Sequence, residues 1–190
     1  MKIFISGGSK SGKSFYAQKL AQKINKPGTP LYYIATMIPM DSEDESRVAR
    51  HRLERDGWGF ETVEAGHDIA ASIDRCDKKG TFLLDSVTAL LANEMFSYDN
   101  EKHEFFTDYD AYKKVAVDII EVLNKLSDMI IVSDYIYNDA MIYDDVTEAY
   151  RRSLGYIDRQ TARVCDVVLE FCCGSHIVHK GNEVFNGIKI

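Results

Sequence analysis

The stretch Ser6–Ser14, "SGGSKSGKS", decides how this chain is read. Gly7, Gly12, Lys13 and Ser14 fit the pattern G-x-x-x-x-G-K-[ST], with Gly8, Ser9, Lys10 and Ser11 forming the loop between them. Each residue type has a physical task. Glycine lets the backbone turn so that several N–H groups face one anion, the lysine neutralises β- and γ-phosphate charge, and the serine hydroxyl is a ligand for Mg²⁺. The positive end of the following helix adds to the field. A plain Gly/Ser/Lys-rich turn is the bland alternative. The context opposes it: "KIFIS", Lys2–Ser6, reads as a short buried strand. After the loop, Ala17, Leu20, Ala21 and Ile24 recur at helical spacing until Pro27-Gly28. A strand, a phosphate loop and a helix therefore follow one another as nucleotide binding requires.

The same alternation continues along the chain. "LYYIAT", Leu31–Thr36, is a second strand, and "SEDE", Ser42–Glu45, has a capping-box pattern opening a charged helix that stops near Gly57. "TFLLD", Thr81–Asp85, is a third buried strand, followed by a helix. Residues 97–109 read as a polar and aromatic loop. Val115, Ile119, Val122, Leu123 and Leu126 mark an amphipathic helix, and "MIIVSD", Met129–Asp134, is a fourth strand. A helix over about 144–163 precedes the strands "DVVLEFCC" and "SHIVHK", with a short last strand expected at "GIKI". The alternation argues for an α/β protein whose sheet is mostly parallel with an antiparallel edge. Residues 1–190 read as a single nucleotide-binding catalytic domain, without internal repeat or linker.

Composition narrows the partners. A formal charge of −7 opposes general nucleic-acid binding, and the apolar runs are too short to span a bilayer. Met1-Lys2 leads straight into a strand-like segment, so no signal peptide and a cytoplasmic location are expected. Cys76, Cys165, Cys172 and Cys173 form no CxxC pair, which favours buried free thiols over a disulfide framework or zinc site. His176 and His179 fall on opposite faces of an extended segment, a poor arrangement for a metal pair.

Two further features bear on chemistry. Asp85 ends a buried strand where open α/β sheets place ligands, and is the natural carboxylate for Mg²⁺; it also suits a helix N-cap, and the two roles are compatible. In "RVARHRLER", Arg47–Arg55, the helical spacing puts Arg47, His51 and Arg55 on one face with Arg52 beside them. Guanidinium groups would keep the imidazole neutral and free to attack phosphorus, and would bind a triphosphate. On the residues alone, a solvated, salt-bridged surface helix accounts for the stretch better.

Taken together, "ISGGSKSGKS", "YIAT", "RVARHRLERDGW" with a following "TVE", "LLDSVTALLANEMF", "IIVSD" and "RRSLGYIDRQTARVCDVVLEFCCG" resemble the bifunctional adenosylcobinamide kinase / adenosylcobinamide-phosphate guanylyltransferase family of cobalamin biosynthesis, in family order over nearly the whole chain. The resemblance implies a P-loop NTPase-like, three-layer α/β fold with a mostly parallel sheet, a homo-oligomer, commonly a trimer, and two reactions. A nucleoside triphosphate (ATP or GTP) phosphorylates the aminopropanol hydroxyl of the corrinoid adenosylcobinamide. A histidine then takes GMP from GTP and passes it on, giving adenosylcobinamide-GDP. Carried over by position, the resemblance implies that His51 is the guanylylated histidine and that Gly7 to Ser14 are the phosphate loop. It gives nucleotide contacts to Ala35, Thr36, Met37, Arg52, Leu53, Glu54, Arg55, Glu64 and Asp85. It reverses the preference for a bland His51.

The chain departs from the family at "SDYIYNDAMIYDD", Ser133–Asp145. There Asp134 stands for an Asn and Tyr135 for a Glu, and the family's glycines and proline are absent, which implies a reshaped loop. Two alternatives to the bifunctional enzyme follow: a P-loop kinase with another small-molecule acceptor, and a nucleotide-binding regulatory module.

Overall fold

Strands that are apolar on both faces form the centre of the sheet, as parallel strands covered on both sides must be. The computed structural model describes residues 1–99, 103–137 and 139–188, apart from the side chains of Arg47, Glu54 and Asp99. Its elements are β1 Lys2–Gly7, α1 Lys13–Ile24, β2 Leu31–Ala35, α2 Ser42–Glu54, β3 Phe60–Glu64, α3 Ile69–Ile73, β4 Thr81–Asp85 and α4 Val87–Met95. They continue as β5 Phe96–Asp99, β6 Glu104–Thr107, α5 Ala111–Lys125, β7 Asp128–Asp134, α6 Asp145–Val164, β8 Val167–Cys172, β9 Ser175–Lys180 and α7 Asn182–Asn186.

The seven-stranded sheet has the order β3-β2-β4-β7-β1-β8-β9. Every pairing in it is parallel except β8 with β9, which closes an antiparallel edge. One face presents Phe4, Ile34, Phe82, Leu84 and Ile131 to a core completed by α3, α4, α5 and α6. The other presents Ile3, Ile5, Leu83, Ile130 and Val132 to Ala17, Leu20 and Ala21 of α1 and Phe185 of α7. This is the P-loop NTPase-like, three-layer α/β arrangement. It brings the C-terminal ends of β2, β4, β7 and β1 to one edge, where parallel sheets bind ligands.

Several local expectations are corrected. Part of the stretch expected as a loop over 97–109 is an antiparallel hairpin of β5 and β6, exposing Phe105 and Phe106; residues 100–102 lie outside the described residues. Strand β3 and the short α3 add two elements to those expected from the sequence. The cap of α2 is Asp41, whose side chain accepts from the Asp44 N–H at 2.8 Å, one residue before the expected Ser42. Gly187 and Ile188 are not in a strand; α7 precedes them, and residues 189–190 lie outside the described residues. The cysteines are free, but Cys172 and Cys173 are exposed rather than buried, because β8 ends at Cys172 and Cys173 lies in the turn.

Candidate nucleotide-binding site

The phosphate loop leaves β1 at Gly7 and enters α1 at Lys13. Gly7 has no room for a side chain: a Cβ there would lie 2.6 Å from the Phe171 carbonyl oxygen of β8. Gly12 turns at φ 90°, where the left-handed conformation suits glycine. No side chain caps α1 and its first turn carries no acid, so its leading N–H groups are those of an anion site. Ser9 and Lys10 are exposed, while the Ser11 hydroxyl oxygen is buried with no hydrogen-bond partner among the described residues.

Lys13 is only 4% exposed. Its ammonium donates to the Gly8 carbonyl at 3.1 Å and forms an ion pair with Asp134. The register explains the pairing, because Gly7 of β1 lies opposite Asp134 of β7. Asp134 is held in turn by its own N–H, which donates to the Thr88 hydroxyl at 2.9 Å. Asp85 ends β4, the strand on the other side of β7. It accepts a hydrogen bond from the Tyr33 hydroxyl at 2.9 Å, and the Ser14 hydroxyl at the start of α1 lies near enough to favour its charged form. Burial pushes the Asp85 carboxyl above its ordinary range against the Tyr33 bond and the Ser14 hydroxyl; the Asp134 charge raises it further and Lys13 opposes it. Ser14 and Asp85 together offer a hydroxyl and a carboxylate, the hard oxygen donors that suit Mg²⁺.

The residues after β2 take different places. Thr36 is fully buried: its hydroxyl donates to the Ser86 carbonyl and accepts from the Ser86 N–H, both at 2.8 Å. It therefore braces the end of β4. Ala35 and Met37 on either side are partly exposed. Asn93 of α4 reinforces this corner by donating to the Thr36 and Gly66 carbonyls.

On α2, His51 is half-buried and Leu53 exposed, and the Glu54 side chain lies outside the described part. The arginines are engaged separately. Arg52 donates to Glu64 of β3 at 2.7 Å. Arg55 is buried, its guanidinium carbon 3.7 Å from the centroid of the Tyr33 ring. Arg55, Tyr33 and Asp85 thus form a continuous chain from the end of α2 to the carboxylate beside the phosphate loop. Arg52 and Arg55 also line an open depression with Gly57, Gly59, Phe60 and Thr62.

Beneath the site lies a polar cluster that sequence reasoning missed. Asp158 of α6 is 3% exposed and accepts from the Ser133 hydroxyl at 3.1 Å and the Tyr137 hydroxyl at 3.0 Å. Its second oxygen has no hydrogen-bond partner among the described residues. Burial, with the nearby Asp134 charge, pushes its carboxyl up to about 7. Tyr33 and Asp158 carried no local motif. Asp134 did carry one, an apolar strand ending in a carboxylate as at Asp85.

The family described as cobinamide kinase / cobinamide phosphate guanyltransferase matches residues 3–178. The chain belongs to this family. It is 31% identical over 116 residues to the bifunctional adenosylcobalamin biosynthesis protein CobU of Escherichia coli (strain K12), covering 60% of this chain and 61% of that protein. It is 28% identical over 186 residues to the bifunctional adenosylcobalamin biosynthesis protein CobP of Pseudomonas aeruginosa, covering 97% of this chain and 100% of that one. Among solved structures, the flagellar accessory protein FlaH from Methanocaldococcus jannaschii is similar at TM-score 0.40 and 15% identity, over 94% of this chain and 77% of that one. The KaiC-like protein PH0186 from Pyrococcus horikoshii is similar at TM-score 0.48 and 11% identity, over 94% and 79%. These remote likenesses add nothing to the topology described above. Among the described residues no helix is long and apolar enough to cross a membrane.

Proposed function

We propose that this family member carries out both reactions its family is described by, in the cytoplasm and as a homo-oligomer, a trimer being the arrangement the resemblance implies. The observation that carries the reading is the meeting of Lys13, Ser14 and Asp85 at the mouth of an uncapped α1, in a chain that matches the family over 3–178. In the kinase step the loop N–H groups and Lys13 hold the β- and γ-phosphates. The aminopropanol hydroxyl of adenosylcobinamide attacks the γ-phosphorus; the new O–P bond forms as the bond to the nucleoside diphosphate breaks, and the hydroxyl proton is lost. Positioning and charge neutralisation supply most of the acceleration. Ser14 and Asp85 would hold Mg²⁺, which adds positive charge at the phosphates when bound.

In the transferase step His51 attacks the α-phosphorus of GTP. An N–P bond forms, the α–β bridging bond breaks, and pyrophosphate leaves. A phosphate oxygen of adenosylcobinamide phosphate then takes the GMP group and restores the imidazole. The position of His51 on α2, which follows the C-terminal end of β2, supports this assignment, as do Arg52 and Arg55 beside it. Ala35, Met37, Leu53, Glu54 and Glu64 are proposed as further nucleotide contacts, and Thr36 as the brace that shapes them.

The test is incubation with GTP labelled at the α-phosphorus and Mg²⁺. Acid-labile, alkali-stable label is expected on the wild type and absent from His51→Ala. Label that persists on His51→Ala removes His51 from the mechanism. The reshaped 134–145 stretch favours one second reading, a kinase with another acceptor alcohol. That reading gains if no label forms while an alcohol other than cobinamide is phosphorylated.

A further inference from the structure

Free cysteine is among the most buried residue types, and Cys165 follows that rule at 0% exposure. Cys172 and Cys173 break it side by side. Both are exposed, and their sulfurs lie 3.7 Å apart in an S–H···S contact. Neither belongs to a core cluster. The turn that carries them is fixed at both ends. Cys172 is paired with Ser175, leaving Cys173 and Gly174 as a two-residue hairpin loop, both with positive φ (52° and 76°). Tight hairpins of this kind favour Asn or Asp before glycine, because a residue with a Cβ is strained in the left-handed region. A thiol held there costs backbone energy that packing does not repay, and such an outlier points to a use.

We propose that Cys172 and Cys173 form a two-thiol chelating site on the β8–β9 turn for a neutral or cationic thiophile, a trivalent arsenical being the type. Two sulfurs on adjacent residues of a pinned turn are already close enough to share one atom, so little chain entropy is lost on binding. Soft sulfur donors select soft acceptors. Glu170, two residues earlier on β8 and hydrogen-bonded to His179 at 2.6 Å, adds negative charge near Cys172 and disfavours anionic thiol reagents such as glutathione. With phenylarsine oxide the step balances without an oxidant. Two As–S bonds form, the As–O linkage breaks, and the oxygen leaves as water with the two thiol protons. The site lies one residue beyond Phe171, the β8 position paired with Gly7, so it borders the phosphate loop without being part of it.

The experiment is intact-mass analysis of the full chain after treatment with phenylarsine oxide. One phenylarsenic adduct per chain is expected, resistant to excess monothiol and removed by 2,3-dimercaptopropanol. Cys172→Ser and Cys173→Ser should each abolish it, whereas Cys76→Ser should keep it. Nucleotide binding, measured in parallel, reports that each variant is folded. Absence of an adduct on the wild type, survival of the adduct in either serine variant, or its removal by monothiol would each overturn the proposal.

Discussion

Lys13 is the residue on which the site turns, and the protein itself already engages it. Its ammonium is nearly fully buried and has two partners, the Gly8 carbonyl and the Asp134 carboxylate. A buried lysine left alone would be costly, so the Asp134 carboxylate stabilises its charge. The same carboxylate opposes an incoming triphosphate, since Lys13 must be shared and two like charges then face each other. Asp134→Asn keeps the shape and the hydrogen-bond reach while removing that charge. Its expected effect is about tenfold tighter binding of ATP measured calorimetrically without Mg²⁺, which corresponds to about 1.4 kcal/mol. Unchanged or weaker binding would show that the ion pair does not compete with phosphate. Tyr33 is the other decisive single residue, since it links Arg55 to Asp85 through its ring face and its hydroxyl. Burial and the Asp85 charge hold that hydroxyl well above its ordinary pKa, so it remains a donor to the carboxylate throughout the physiological range.

At the scale of elements, the stretch that departs from the family is shaped by one side chain of α6. Arg151, 8% exposed, donates to the Ile136 carbonyl at 3.0 Å, to Asp139 at 3.1 Å and to Glu148 at 2.5 Å. A guanidinium fork does this from three separate nitrogens, Nε, Nη1 and Nη2; the three donors of a lysine sit on one nitrogen and cannot span partners held that far apart. Arg151→Lys should therefore fail to rescue what Arg151→Ala loses. Both variants are expected to cost about 2 kcal/mol in urea unfolding and to speed amide exchange at residues 136–137 and 139–143 at least tenfold, with α5 unchanged. Uniform exchange in both variants would mean the loop holds itself. The same scale explains what the sequence made legible. β1, β4 and β7 are apolar runs ending at sharp signals, and the phosphate loop is a fixed local spacing, so Lys13, Ser14 and Asp85 could be read directly. β3 could not be, because at the sheet edge only Val63 of "FETVE" is buried. The β5–β6 hairpin escaped because its aromatics are exposed and follow no core periodicity. The acidic group Asp68, Glu94 and Asp118 could suggest a metal, but the Lys114 ammonium lies 2.7 to 2.9 Å from all three and fills the place. What joins Lys13 to Asp134, or Arg55 to Tyr33, is strand order and register across distant parts of the chain, which no local pattern encodes.

For the whole molecule, the buried Asp158 ties sheet and helix layer into one pH-dependent unit. It joins α6 to β7 through Ser133 and to the following loop through Tyr137, directly below the phosphate site. Its folded pKa of about 7 lies above the ordinary unfolded value of about 3.9. The native state therefore binds more protons than the unfolded chain between these values, and stability falls as pH rises through that window. Above pH 7 the loss is complete and the curve flattens. Carboxylates whose pKa is lowered in the fold, among them Asp128 beside Lys26 and the N-terminus, act in the opposite sense. Their contribution is in place above the ordinary carboxylate pKa and is lost only at lower pH, so the two effects separate along the axis. Asp158→Asn retains an oxygen to accept from Ser133 and Tyr137 and cannot ionise. Urea unfolding of the wild type should lose roughly 2–4 kcal/mol between pH 5 and pH 8, with an unchanged m-value. Asp158→Asn should lose most of that slope and be the more stable of the two at pH 8. A wild-type slope that persists in the variant would assign the titration to another group, and Asp85, which burial also raises, would then be the residue to replace.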